Sequence, residues 1–308
     1  MNRRSAQAPA AVIMIRPHHF SPNQETAKDN AFQKTNDYLN TTEMAKSAFL
    51  ETTNVAKKLT SFGIKTHIFE DESTKSPDSV FPNNWFSTHP GGHIAIYPMY
   101  PENRRLERRH DIIEMLKRNY RVQDVIDYSG LEPDGLFLEG TGAMVLDHID
   151  RVAYAVRSNR TNPVVLERFC THFNYEPMVF DAVDDNANPV YHTNVLMCIA
   201  TDFVMICLDM VSDSARRLEI EERFKRSGRH IIALSKQQIN NFAGNALELQ
   251  GNKGRILALS SVALKALSPK QKAMIEQSTT ILPLDIPTIE LAGGSVRCML
   301  AGVHLSPR

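Results

Sequence analysis

The sequence has no excess of charge of either sign. Across its 308 residues Lys plus Arg and Asp plus Glu number 35 each. That balance gives no electrostatic footing for nucleic acid or an anionic membrane surface. Long apolar runs are missing as well. The longest, residues 195–199 and 203–208, are split by Thr201 and Asp202, and both fall far short of the ~20 residues that span a bilayer. The first 17 residues hold a short apolar run ending in Arg16-Pro17-His18-His19, without a cleavage pattern, and read as a loose start followed by a strand. Cysteine is scarce. Cys170, Cys198, Cys207 and Cys298 form no CxxC pair, which excludes the common zinc and redox spacings. Cys198 and Cys207 lie in strand-like runs and Cys170 in a helix-like one, where a free thiol acts as a small buried hydrophobe. Free thiols predict a cytoplasmic protein. There is no phosphate-cradling glycine loop and no Rossmann fingerprint, and the adjacent His18 and His19 lack acidic co-ligands. The expectation is no cofactor and no metal.

What is present is a repeat. Five helix-like segments cover residues 36–61, 104–119, 163–173, 214–227 and 268–277. Starts such as Asn162 before Pro163 and Ser268 before Pro269 fit helix N-termini. A β-rich run follows each, at 64–69, 121–126, 176–183, 230–234 and 280–286. Apolar strand pairs come next, at 80–87 with 93–97, 136–146 with 152–156, 194–200 with 203–208, and 246–250 with 256–258. The fifth unit ends at 295–301 without a partner, and residues 11–16 at the other terminus would supply one and close a ring. Polar or reactive residues recur at one place in these units. Asn84, Glu139, His192, Asn245 and Cys298 are spaced by 55, 53, 53 and 53 positions. The pattern predicts one α/β domain over residues 1–308, a five-bladed propeller of ββαβ modules whose equivalent strand ends meet at one axis.

The motifs resemble the pentein, or guanidine-modifying, superfamily of arginine deiminases, dimethylarginine dimethylaminohydrolases and amidinotransferases. The most specific is Gly293-Gly294-Ser295-Val296-Arg297-Cys298. Others are residues 77–85 ending in Asn83-Asn84-Trp85, Phe137-Leu138-Glu139-Gly140, and Asn159-Arg160-Thr161-Asn162. Asn83-Asn84-Trp85 with His192-Thr193-Asn194 is most similar to citrulline-utilising hydrolases. The resemblance implies Cys298 as nucleophile, His192 as general acid and base, and Glu139 as the carboxylate holding substrate and histidine. It implies substrate contacts from Asp78, Asn84 and Asn194. Arg160, with one of Arg104 and Arg105, assigned here to Arg105, would take the substrate carboxylate. Asn84 and Asn194 stand where arginine-processing members carry aspartates.

The residues fit that chemistry on their own terms. Guanidino and ureido carbons are poor electrophiles, and a soft thiolate splits the reaction into two covalent steps. A Gly-Gly-Ser turn can present N–H groups to an oxyanion. An alkylguanidinium stays charged and is costly to bury without matched acids. With two aspartates replaced by amides and Glu139 expected nearly alone, the predicted substrate is a neutral ureido amino acid. Citrulline, going to ornithine, carbon dioxide and ammonia, is the leading candidate. The alternatives are a guanidino substrate, as in arginine deiminase, dimethylarginine hydrolysis or amidino transfer, and a non-catalytic binding propeller. The partner expected is a small amino-acid substrate, and the sequence is compatible with a homo-oligomer.

Overall fold

A computed structural model describes residues 5–34 and 40–308. It contains five three-stranded sheets. In each, a middle strand pairs antiparallel with the strand before it in the repeat and parallel with the one after. The middle strands are His93–Ile96, Val152–Val156, Phe203–Ile206, Gly254–Ser260 and Ala11–Pro17. A parallel neighbour demands a crossover, and a helix supplies it each time. These helices are His110–Asn119, Pro163–Phe173, Ser214–Arg226, Pro269–Glu276 and Thr41–Ser61. The ring closes as the sequence predicts. Val12 and Ile13 of the N-terminal strand pair antiparallel with Gly302 and Ala301, while its residues from Ala11 to Pro17 run parallel to Lys65–Asp71.

Local chemistry sets these elements. Asn162 accepts the Val164 N–H ahead of Pro163. Ser268 and Gln271 form a reciprocal capping box ahead of the Pro269 helix, satisfying N–H groups that a helix start leaves free. Strands Val152–Val156 and Phe203–Ile206 are buried at every position, as a middle strand covered on both faces requires. The helix Thr41–Ser61 turns Met44, Ala48, Val55 and Leu59 onto Val12 and Met14. Packing of that stripe, more than intrinsic propensity, holds such a helix.

Three expectations change. The predicted helix over 36–61 begins partly outside the described residues, and the described helix starts at Thr41. The predicted helix over 104–119 is two pieces, a 3-10 turn Asn103–Glu107 and a helix His110–Asn119. Arg108 and Arg109 between them are extended, and Arg108 is drawn to Glu132 at 2.6 Å. The predicted inner strands are also shorter than their apolar runs. Pro82–Asn84, Gly140–Ala143, Thr193–Leu196 and Val296–Met299 are single helical turns, and the strand starts only after each. A turn of three or four residues is too short to show a period that separates it from a strand.

Candidate active site

These turns carry the spaced residues. Asn84 ends the first; Glu139 and His192 stand one residue ahead of the second and third; Cys298 lies within the last. Asn245 precedes the inner strand Leu247–Gly251. All five are buried. They touch in ring order, which is what a near-constant spacing in a closed ring produces. His192 Nε2 lies 2.8 Å from Glu139 Oε2, and the Asn245 amide donates to Cys298 Sγ at 3.3 Å. The close approach needs glycine at position 142. A Cβ there would sit 2.1 Å from Asn84 Nδ2 and 2.8 Å from His192 Nδ1.

One wall is ionic. Glu139 Oε1 accepts the Tyr100 N–H at 3.0 Å, and Oε2 meets His192 and, at 3.5 Å, Arg160 Nη1. Burial alone would raise the Glu139 pKa, but Arg160, His192 and Arg104 outweigh it and hold the carboxylate down to about 2. Burial pushes His192 below its ordinary range, with Glu139 resisting, so the resting imidazole is neutral near pH 7. Arg104 grips Glu107 with two N–H groups at 2.8 and 2.9 Å, stands 3.8 Å from Asp78 and donates to Asn84 Oδ1 at 3.1 Å. Burial raises Asp78, against the pull of Arg104 and Asn23. It raises Glu107 to about 7, against Arg104 and helped by neighbouring Asp78 and Glu139.

The other wall is built of amides. Asn194 and Asn245 each donate Nδ2–H to Cys298 Sγ at 3.3 Å. The Asn245 orientation follows from chemistry, because its Oδ1 accepts the Arg297 backbone N–H at 3.0 Å and only its NH2 is left for sulfur. Asn84 is fixed likewise: Arg104 has no acceptor, so the oxygen faces Arg104 and the NH2 lies beside Gly142, directed at the Glu139 carbonyl at 3.5 Å. A thiolate accepts such bonds better than a thiol does. Ser295 leads into the nucleophile turn and is tied to Glu290 at 2.7 Å. Asp78 Oδ1 and Asn194 Oδ1 are buried without a partner, as groups awaiting a ligand are.

Seven of the eight predicted site residues thus share one cluster: Cys298, His192, Glu139, Asp78, Asn84, Arg160 and Asn194. Arg105 is the correction. It points away, to the Met99 and Tyr100 carbonyls at 3.1 and 3.3 Å and to Glu132 at 3.6 Å, while Arg104 faces the cluster. A 3-10 turn places consecutive side chains about 120° apart, so one of the pair had to face away. Glu139 is also less isolated than expected, since Asp78 and Glu107 are buried beside it with Arg104 between. Sequence reading missed residues 21–34, which cross the site. Asn23 donates to Asp78 at 2.8 Å. Asp29 takes the Arg160 fork at 2.9 and 2.5 Å, and Asn30 donates to the Ala292 carbonyl at 3.0 Å. Their only signal was polarity in a stretch without period. No group of three or more His, Cys, Asp or Glu able to hold a metal occurs among the described residues.

A ring of five ββαβ modules that brings a cysteine, a histidine and a carboxylate together defines the pentein class of carbon–nitrogen hydrolases, which work through a covalent intermediate. Within that class the chain belongs to the family described as N,N dimethylarginine dimethylhydrolase, eukaryotic, which matches residues 16–305. No curated protein matches in sequence. Solved structures agree in fold. The N-terminal domain of ArgZ, a cyanobacterial arginine dihydrolase solved as a Cys-to-Ser variant bound to substrate, is 17% identical with a TM-score of 0.74, over 95% of this chain and 97% of that one. AgrE, as a Cys-to-Ala variant with L-arginine, is 17% identical with a TM-score of 0.75, over 97% of this chain and 40% of AgrE. A dimethylarginine dimethylaminohydrolase variant carrying an S-methyl-L-thiocitrulline adduct is 15% identical with a TM-score of 0.61, over 95% and 98% of the two chains.

Proposed function

We propose that the chain, acting as one domain in the cytoplasm, hydrolyses a ureido amino acid, with citrulline the preferred substrate. Cys298 attacks the ureido carbon. His192 takes the thiol proton as the attack proceeds, and the first C–N bond breaks as the nitrogen leaves with that proton. His192 then takes a proton from water as that water attacks the thiocarbamate and frees Cys298. The carbamate so released loses carbon dioxide, so citrulline and water give ornithine, carbon dioxide and ammonia. Glu139, held ionised, orients His192 and balances the imidazolium when it forms. No cofactor enters this scheme.

The observation that carries the substrate choice is the amide lining around sulfur. Asn194 and Asn245 donate to Sγ, and Asn84, its oxygen fixed by Arg104, turns an NH2 toward the Glu139 carbonyl at 3.5 Å. An N–H can donate to a ureido oxygen, which a carboxylate cannot do. Two buried guanidiniums, Arg104 and Arg160, stand among the acids present and already engage Glu107, Glu139 and Asp29. A site built for one hydrogen-bonding pattern can reject the other by about 10⁴ in favourable cases. A second reading, an arginine-type substrate, is favoured by the unpartnered Asp78 Oδ1 and by what the family and its solved relatives act on. Citrulline and arginine assayed side by side decide between them. Turnover is expected to be faster with citrulline, and the Asn84→Asp, Asn194→Asp double variant is expected to move binding toward guanidinium ligands. Faster arginine turnover by the unaltered protein would reverse the choice.

A further inference from the structure

Behind the nucleophile, among the inner strands of all five modules, lies a cavity of about 40 Å³. That is several times the roughly 10–15 Å³ one water needs. Its polar lining includes Arg297, His148, His304, Thr141, Cys198 and Gln7, with the hydroxyls of two residues of the first inner strand, and no carboxylate lines it among the described residues. The two histidine rings pack with centroids 4.0 Å apart. Gln7 closes one side, donating to the Leu146 and Ile199 carbonyls at 3.0 and 3.1 Å.

Arg297 sets the character of this space. Among the described residues its side chain makes one hydrogen bond, from Nη1 to the Leu300 carbonyl at 3.0 Å, and no ion pair. Arg297 is part-buried and faces this space, and it has no acid, whereas the fully buried guanidiniums do: Arg104 has Glu107, Arg160 has Asp29 and Arg229 has Asp147. An uncompensated charge in a protein interior is costly. Burial pulls Arg297 down to about 10, with Cys298 and Cys198 resisting weakly. It also holds His304 near 4 and His148 low, so neither imidazole adds a second cation.

We infer that this axial cavity is a binding site for one halide-sized monovalent anion, chloride being the common member, held by the free N–H groups of Arg297. The anion supplies the counter-charge that the protein does not, and the site is separate from the substrate cluster on the far side of Cys298.

The test uses the full chain. Crystals soaked in sodium bromide are expected to show an anomalous peak inside the cavity, within hydrogen-bonding distance of the Arg297 guanidinium. In solution, sodium bromide or chloride is expected to raise the melting temperature by about 2–5 °C over sodium gluconate at equal ionic strength. Cys198→Leu, which fills the cavity and leaves Arg297 in place, is expected to abolish both signals. Arg297→Met is expected to do the same, and if it fails to fold, Cys198→Leu alone decides. Bromide found only on the outer surface, or a halide-specific melting shift that survives Cys198→Leu, would overturn the inference.

Discussion

The two walls of the substrate cluster solve the problem of buried polarity in opposite ways. On the Glu139 side the guanidiniums sit against acids, Arg160 on Glu139 and Asp29 and Arg104 on Glu107, and the His192 imidazole bonds to Glu139. On the Cys298 side the sulfur meets only amide donors. The ionic wall fixes protonation states and geometry, because matched charges inside a protein resist titration. The amide wall can donate to the sulfur as it develops charge without pairing it to a fixed cation. A site made only of ion pairs would quench the thiolate, and one made only of amides would not hold His192 in register.

The largest expected effect breaks the amide wall at its centre. Cys298→Ala is expected to abolish turnover while costing no more than about 1–2 kcal/mol of stability, since the side chain barely changes size. Substantial residual turnover with a normal unfolding curve would rule out the cysteine mechanism. Next, on the ionic wall, His192→Ala is expected to lower kcat by about 10²–10⁴. Glu139→Gln should lose a comparable factor, because the amide leaves both imidazole and Arg160 without their anion. A near-normal rate in either would detach that wall from the chemistry.

A smaller effect concerns stability and pH. The folded protein holds a proton on Glu107 up to about pH 7, whereas the unfolded chain releases it near the ordinary carboxylate range. The folded state therefore binds more protons between those limits, and this group removes stability as pH rises from about 4.5 to about 7. Glu107→Gln abolishes that slope. Denaturant midpoints at pH 5 and pH 8 should show the variant improving relative to the parent at the higher pH, whatever the absolute cost of losing the Arg104 contact. An unchanged difference between the two would mean Glu107 is ionised throughout. The smallest effect is expected from Arg105→Ala, a change of less than about threefold in kcat/KM and about 1 kcal/mol or less in stability, as for a partly exposed ion pair. A hundredfold rise in KM would return Arg105 to the substrate.

Much of the architecture was readable because it is periodic. Helices at 163–173 and 268–277 announced themselves through Asn162-Pro163 and Ser268-Pro269, caps whose chemistry is local. Ring closure by residues 11–16 was readable because the fifth unit lacked a strand that the other four had. The short turns before the inner strands were not readable, since three or four residues are too few to display a helical period. Nor was Glu107, which in a charged stretch looks like a solvated side chain and proves to be buried.

By itself the sequence determined the module, its fivefold recurrence, and a spacing that brings Glu139 to His192 and Asn245 to Cys298, because residues one period apart in a closed ring become neighbours. Only the tertiary structure decided that Arg104 faces the site and Arg105 does not, that Asp29 claims the Arg160 fork from 131 positions away, and that Asn194 reaches Cys298 across 104. It also decided that Arg297 stands part-buried without an acid. These outcomes depend on which side of a turn a chain emerges from and on aperiodic loops laid over the ring, and neither leaves a local pattern for a sequence to display.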